Sequence, residues 1–273
     1  MNYLSIDLES FVYPNYEPFL SMSTEQREAM DNGYLFDSSI ELLELLSKYN
    51  SKATFFFVSE QSQWKKNPLN LIKNSGHEIA HHSHRHIITD DYQTVVNDLE
   101  LSKLFIEEYK PKIYRSPALR YNENLDPILK KLGFFQKSNY FHHSQIFEKN
   151  DSNEKLTEVF ISKNNRFWKK KHLISKMSLP NLLKYEYFGS AFIFSLINTN
   201  KIIRIVKERE RKGIDNHLFL HNWQLFKNND SLKIDRFNLK KNIAYFPYTF
   251  CVKKKFEELL KFVEFKSINN VNM

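Results

Sequence analysis

The chain has 273 residues, 41 % hydrophobic and 26 % charged, with one cysteine and a formal net charge of +8. That profile supplies enough apolar material for a full core and excludes a disulfide scaffold, a collagen-like repeat and a disordered tail. Glycine is scarce, 5 residues in all, where about 7 % is usual.

Tyr3–Leu8 reads as a buried strand, followed over 15–36 by a loop with a short helix. Asp37 is expected to cap a helix that runs to Tyr49. Ala53–Val58 is a second strand, Leu69–Asn74 a short helix ended by Gly76, and His77–His81 a third strand. Thr89–Tyr109 carries a helical period, Lys112–Arg115 a strand, Asn124–Leu132 a helix stopped by Gly133, and Phe134–Ser138 another strand. This repeated strand–helix alternation predicts an α/β fold with parallel strands and crossover helices. Beyond it come a strand at Glu158–Ser162, a largely helical stretch over 179–212, a strand at His217–Leu220 and an amphipathic helix at Lys253–Phe265.

Charge is uneven. Residues 1–150 hold 16 basic and 20 acidic side chains, net −4, so residues 151–273 carry net +12. Clusters at Lys169-Lys170-Lys171, Arg204–Lys212 and Lys253-Lys254-Lys255 fit either a solvated lysine-rich surface or an anionic partner, such as an anionic lipid or a diphosphate-linked glycan. Residues 167–212, where Phe, Trp, Leu and Ile alternate with Lys and Arg, are expected to form a basic, largely helical insertion. Nucleic acid is not an expected partner. The opening MNYLSIDLES lacks the n- and h-regions of a secretory signal, and no apolar run reaches 18 residues. With Cys251 as the one thiol, a cytoplasmic location is expected, with peripheral association at the inner membrane face as an option.

The polar residues at the predicted strand ends carry the chemistry, because α/β folds place functional groups there. Asp7 and Glu9 are two apart and face the same side of an extended chain. His82 and His86, within His81-His82-Ser83-His84-Arg85-His86, are spaced to face one point, which suits a divalent metal. Arg115 ends one strand, where it can pair with a carboxylate, and His221 ends another. Together they supply what metal-assisted hydrolysis requires.

These segments resemble, in order, the polysaccharide deacetylases of the NodB-homology type, carbohydrate esterase family 4. Ser5-Ile6-Asp7-Leu8-Glu9 looks like the first motif, Ala53–Val58 the second strand, and Gly76–His86 the metal motif. Tyr114-Arg115-Ser116-Pro117 looks like the third motif and Leu218–His221 the last. The resemblance implies one catalytic domain over 1–273, built as a distorted (β/α) barrel of about seven parallel strands. It implies Asp7 as base, His82 and His86 as metal ligands, Arg115 as the group that orients or tunes the base, and His221 as acid. The Ala118 N–H would help bind the oxyanion.

Three positions depart from the pattern. Leu8 stands where a second aspartate is common, which points to Glu9 as the acidic ligand, although Asp7 and Glu9 could exchange roles. Ala118 and Leu119 follow Pro117 where glycine is usual. No Asp- and Trp-containing fourth motif is found over 134–216, which leaves His221 without an assigned partner. The function implied is metal-dependent removal of N-acetyl groups from an amino sugar of a glycan or glycan precursor, in surface polysaccharide biosynthesis. Zinc is favoured by ligand type, and cobalt, nickel or manganese could replace it. The alternatives are a related hydrolase of a non-sugar C–N bond and a non-catalytic carbohydrate-binding relative. The pattern leaves the oligomeric state open.

Overall fold

The computed structural model describes residues 1–13, 21–148, 155–163 and 187–270. Among the described residues ten strands form: β1 Asn2–Leu8, β2 Thr54–Phe57, β3 Glu78–His81, β4 Ile113–Tyr114, β5 Gln136–Lys137, β6 Phe141–His142, β7 Phe147–Glu148, β8 Thr157–Val159, β9 Ile161–Ser162 and β10 Asn216–His221. Eight make one sheet in the order β10-β1-β2-β3-β4-β5-β8-β7. Every neighbouring pair from β10 to β8 is parallel, and only the edge strand β7 runs antiparallel. The seven expected parallel strands are therefore present, and the sheet curls into a half-barrel. β6 and β9 pair separately.

Register brings the C-terminal strand ends to one level. Asp7 lies beside both His221 and Phe56, Phe57 beside His81, and His81 beside Tyr114. The central strands are buried on both faces, with Leu4, Ile6, Phe55, Phe56 and Phe57 fully enclosed, as crossover helices on a parallel sheet require. Those helices include α1 Thr24–Asp31, α2 Tyr34–Lys48, α3 Leu69–Asn74, α4 Tyr92–Leu101, α5 Lys103–Tyr109 and α6 Asp126–Lys131.

Several boundaries differ from the sequence expectation for identifiable reasons. α2 begins at Tyr34 rather than at Asp37, because Gly33 supplies a left-handed entry (φ +84°) and Asp31 accepts the Leu35 N–H at 3.1 Å. The expected helix 89–109 starts after Asp91, which accepts the Thr94 N–H, and is split at Ser102, whose hydroxyl turns back to the Asp98 carbonyl. The expected strand 158–162 is two strands in two sheets, divided at Phe160. A helix at Asn229–Lys241, capped by Asn228 and Ser231, was not anticipated, and the last helix ends at Leu260. Of the basic segment 167–212, residues 167–186 lie outside the described residues. The remainder includes helices Ala191–Leu196 and Thr199–Arg211, the latter packing Ile202, Ile205 and Val206 inward. No helix among the described residues is long and apolar enough to cross a membrane.

Gly189 joins β9 to β10 where the sheet would otherwise open. Its N–H donates to Ser162 O, and its carbonyl accepts from Phe219 N. A Cβ at this position would stand 2.5 Å from His217 O and 2.8 Å from Ser162 O, both main-chain atoms. Gly189→Ala is expected to cost about 3 kcal/mol through overpacking, read as a lowered urea midpoint. An unchanged midpoint would show that the β9–β10 junction can open without cost.

Candidate active site

Asp7, Glu9, His82, His86, Ala118 and His221 line one cavity at the C-terminal end of the sheet, together with Phe219, Trp223, Tyr245 and Tyr248. It encloses about 70 Å³. Every site residue expected from sequence therefore lines this cavity or, as Arg115 does, contacts a residue that lines it.

Arg115 is fully buried and anchors the floor. One guanidinium nitrogen donates to Asp7 Oδ1, another to Ser5 Oγ (2.9 Å) and Ser138 Oγ (3.0 Å), and Nε donates to Ser138 O (3.1 Å). Its plane lies 3.8 Å from the centre of the Phe56 ring. Ser5 passes the chain on to His217 Nε2 (2.9 Å), and His217 Nδ1–H donates to Phe160 O (3.0 Å). Burial alone would raise the Asp7 pKa, but Arg115, His82 and His221 outweigh it and hold the carboxyl below its usual range. Asp7 Oδ2 stays open to the cavity, 3.8 Å from His82 Nε2 and 3.7 Å from His221 Nε2.

The histidine loop has a defined division of labour. Neighbouring strand residues face opposite sides, so His81 points away and meets Ser102 Oγ at 2.9 Å. His82 points inward, with its Nδ1–H donating to Arg115 O (2.9 Å) and its Nε2 left to the cavity. The loop then turns through positive φ at Ser83 (64°) and His86 (54°). Ser83 Oγ accepts the His86 N–H (2.9 Å), and Asp98 accepts the N–H groups of His84 and Arg85. His84 is thereby turned toward Ser59 Oγ and away from the cavity. This is a strained loop rather than a helical turn, yet it brings His82 and His86 together, with ring centroids 5.0 Å apart.

Glu9 is 1 % exposed. Its N–H donates to Asn222 Oδ1 (3.1 Å), and its Oε1 accepts the Trp223 indole N–H (2.9 Å). Its Oε2 lies 3.0 Å from His86 Nε2 but accepts no hydrogen bond, and His86 Nδ1 is buried without one. Burial pushes the Glu9 carboxyl up and the His86 imidazole down. One ligand atom each from Glu9, His82 and His86 lies within 4.8 Å of the others. Two imidazoles and a carboxylate, all buried, with Glu9 Oε2 and His86 Nδ1 left without hydrogen-bond partners, form a donor set that suits a divalent cation.

His221 Nδ1–H donates to Gln224 Oε1 (2.8 Å). The Gln224 amide is in turn fixed by its N–H groups, which donate to Ser195 Oγ (3.0 Å) and Ala191 O (3.4 Å). The partner missing from the sequence pattern is thus a neutral amide one helical turn further on, within Asn222–Leu225. Burial lowers the His221 pKa to about 4. The cavity's other wall carries Ala118 (φ 50°) and Leu119 (φ 55°), both left-handed where the usual glycine is absent. Gln224, Trp223, Asn222 and Tyr248 were not found from sequence. Only the proximity of the first three to His221 could have marked them.

Replacing Arg115 by Gln leaves the Asp7 carboxylate buried without its cation, and stability at pH 7 is expected to fall by about 3–5 kcal/mol. Asp7 then titrates above its unfolded value, so the variant binds that proton on folding and gains stability as pH falls. The gap to the wild type therefore narrows toward pH 5. Urea denaturation at both pH values reads this, and a gap that does not change with pH would show that Asp7 is not the group Arg115 compensates.

Residues 29–136 match the family model described as polysaccharide deacetylase. That stretch holds His82, His86, Arg115 and Ala118, while Asp7, Glu9 and His221 come from strands outside it. A peptidoglycan-N-acetylglucosamine deacetylase of Bacillus cereus is 28 % identical over 128 residues, 45 % of each chain. The chain spans less than half the length of the curated relatives it matches. Among solved structures, one assigned as a polysaccharide deacetylase from Mycobacterium smegmatis shares the fold at TM-score 0.52 and 18 % identity, over 95 % of this chain and 89 % of that one. The PuuE allantoinase shares it at TM-score 0.50 and 13 % identity, over 94 % and 89 %. The ordered motifs and the family match agree: over residues 29–136 the chain is similar to the polysaccharide deacetylase family.

Proposed function

We propose that the protein is a metal-dependent hydrolase that removes N-acetyl groups from an amino sugar in a glycan or glycan precursor. One observation carries this reading. The buried donor set of Glu9, His82 and His86, with Glu9 Oε2 and His86 Nδ1 unsatisfied, shares a cavity with a carboxylate held by Arg115 and an imidazole held by Gln224. A divalent ion bound by those three residues, zinc by donor type, would polarise the acyl oxygen and make water more acidic.

The chain's own groups do the rest. Asp7, kept ionised by Arg115, takes the proton of the attacking water at Oδ2. Its Oδ1 is committed to Arg115, so the base has one direction in which to act. His221 has Nδ1–H tied to Gln224, which leaves Nε2, 3.7 Å from Asp7 Oδ2, to take up the proton that Asp7 removes from water and pass it to the departing sugar amine. Burial disfavours the protonated ring, so it gives that proton up readily. Ala118, exposed on the cavity wall, would turn its N–H toward the developing oxyanion. The matched relatives are peptidoglycan-N-acetylglucosamine deacetylases, so N-acetylglucosamine oligomers are the first substrates to test.

The wild type is expected to bind about one zinc or cobalt ion per chain and to release acetate from such oligomers. A double variant, His82→Ala with His86→Ala, should lose the metal. Asp7→Asn should keep it and lose about 10²- to 10⁴-fold in acetate release. Full deacetylation by Asp7→Asn would remove the assigned base. Turnover of allantoin or another non-sugar amide with no acetate released would replace the sugar reading by cleavage of a different C–N bond.

The finer substrate, a lipid- or diphosphate-linked glycan met at the inner membrane face in surface polysaccharide biosynthesis, is supported by the net +12 of residues 151–273. The chain should then co-sediment with anionic liposomes at low salt and be released at high salt. No binding at low salt ends that reading.

A further inference from the structure

The His221 side of the cavity is walled by the short 3-10 helix Ile243–Thr249, whose Tyr248 plays no part in the mechanism above. The Tyr248 ring meets His221 edge-on at 5.9 Å and Trp223 at 5.5 Å, and is braced behind by Phe192 (5.6 Å) and Tyr245 (5.5 Å). Its carbonyl accepts from Lys227 Nζ (3.0 Å), and Lys227 is itself paired with Asp235 (2.6 Å). The ring is therefore held firmly in place. The neighbouring donors are committed, since Tyr245 O–H donates to Asp235 (3.2 Å) and the Trp223 N–H donates to Glu9. Tyr248 lines the cavity, and its hydroxyl makes no hydrogen bond to any described residue.

That hydroxyl is near enough to Asp7 and Glu9 to feel both charges, which adds to burial in pushing its pKa up and keeps its proton in place. It is thus a fixed, unspent donor beside the imidazole that faces the leaving group. Ala118, where the acyl oxygen would sit, follows β4, and the sheet sets β1, β2 and β3 between β4 and β10. What reaches Tyr248 is therefore the amine-bearing part of the substrate.

We propose that Tyr248 is a specificity residue whose hydroxyl donates a hydrogen bond to a ring hydroxyl of the sugar that carries the N-acetyl group. This inference rests on the deacetylase reading and narrows it, because a site that spends a buried donor on a substrate hydroxyl discriminates against amides lacking one.

Tyr248→Phe keeps the ring and its packing and removes only the donor. Calorimetric titration with the β-1,4-linked tetramer of N-acetylglucosamine is expected to show binding about 5- to 10-fold weaker in the variant. KM should rise in the same proportion with kcat within about 2-fold. N-Cyclohexylacetamide, which carries the amide but no hydroxyl, should bind both proteins alike. A wild type that binds the tetramer more tightly than the variant but releases no acetate would remove the deacetylase reading and leave the role of Tyr248 standing. Equal tetramer binding by the two proteins, or none by the wild type, overturns it.

Discussion

The buried contact between Arg115 and Asp7 is the constraint around which the site is arranged. Burying either charge alone would be prohibitive, and burying both costs several kcal/mol unless every remaining donor finds a partner. Here they do. The guanidinium spans Asp7 and Ser5 on β1 and Ser138 beyond β5, and it lies on the face of Phe56 from β2. A single side chain thus ties strands that sit well apart in the sheet order and fixes the direction of the Asp7 carboxylate. The Arg115 carbonyl, on the same residue, accepts from His82 and sets which of its nitrogens faces the cavity. The proposed base and a candidate ligand are positioned by one residue.

That arrangement was partly legible in the sequence, because its elements follow periodic rules. Asp7 and Glu9 share a side by the period of two, and the same period separates His81 from His82. Strand–helix alternation gave the parallel sheet, and register then did what sequence cannot show, bringing Asp7 beside His221 across more than two hundred residues. The unread parts have no period to read. β4, β5, β6, β7 and β9 are two residues each, too short to alternate. Gln224 orients His221 as an uncharged amide three residues on, a spacing shared by countless pairs. Tyr248 is held at the cavity by Lys227, which Asp235 pairs, and by rings from other elements, contacts that leave no local signal.

Backbone strain tells a related story. Of the non-glycine residues with positive φ, Ser83, His86, Ala118 and Leu119 all stand at or beside the cavity, while Asn32 and Lys110 simply close helices. Left-handed conformations cost about 1 kcal/mol or more for such residues. A glycine-poor chain tolerates them where packing and hydrogen bonds over-determine the turn, as Ser83 Oγ and Asp98 do for the histidine loop. Gly189 shows where that tolerance stops. Strain can be absorbed by neighbours, but a Cβ pressed against two main-chain oxygens cannot, so a glycine stands where the sheet is closed onto β9.

Asp7 and Glu9 are the same kind of group, two residues apart, and their surroundings push them in opposite directions. Such divergence is how one site separates two carboxylate roles. Asp7 has a permanent cation, its Oδ1 is saturated, and its remaining oxygen faces two imidazole nitrogens at 3.7 and 3.8 Å. Glu9 has no cation. Its Oε1 is taken by Trp223, and its Oε2 faces a buried, neutral imidazole nitrogen at 3.0 Å with no hydrogen bond between them. With the imidazole proton on Nδ1, two lone pairs would face each other at that distance and repel unless something positive lay between them. A proton would satisfy one pair, whereas a divalent ion would satisfy Glu9, His86 and His82 together and balance the Glu9 charge that Arg115 cannot reach. Exchanging the roles would ask Asp7 to leave Arg115 and Glu9 to act with its charge uncompensated, which supports the proposal of Asp7 as base and Glu9 as ligand.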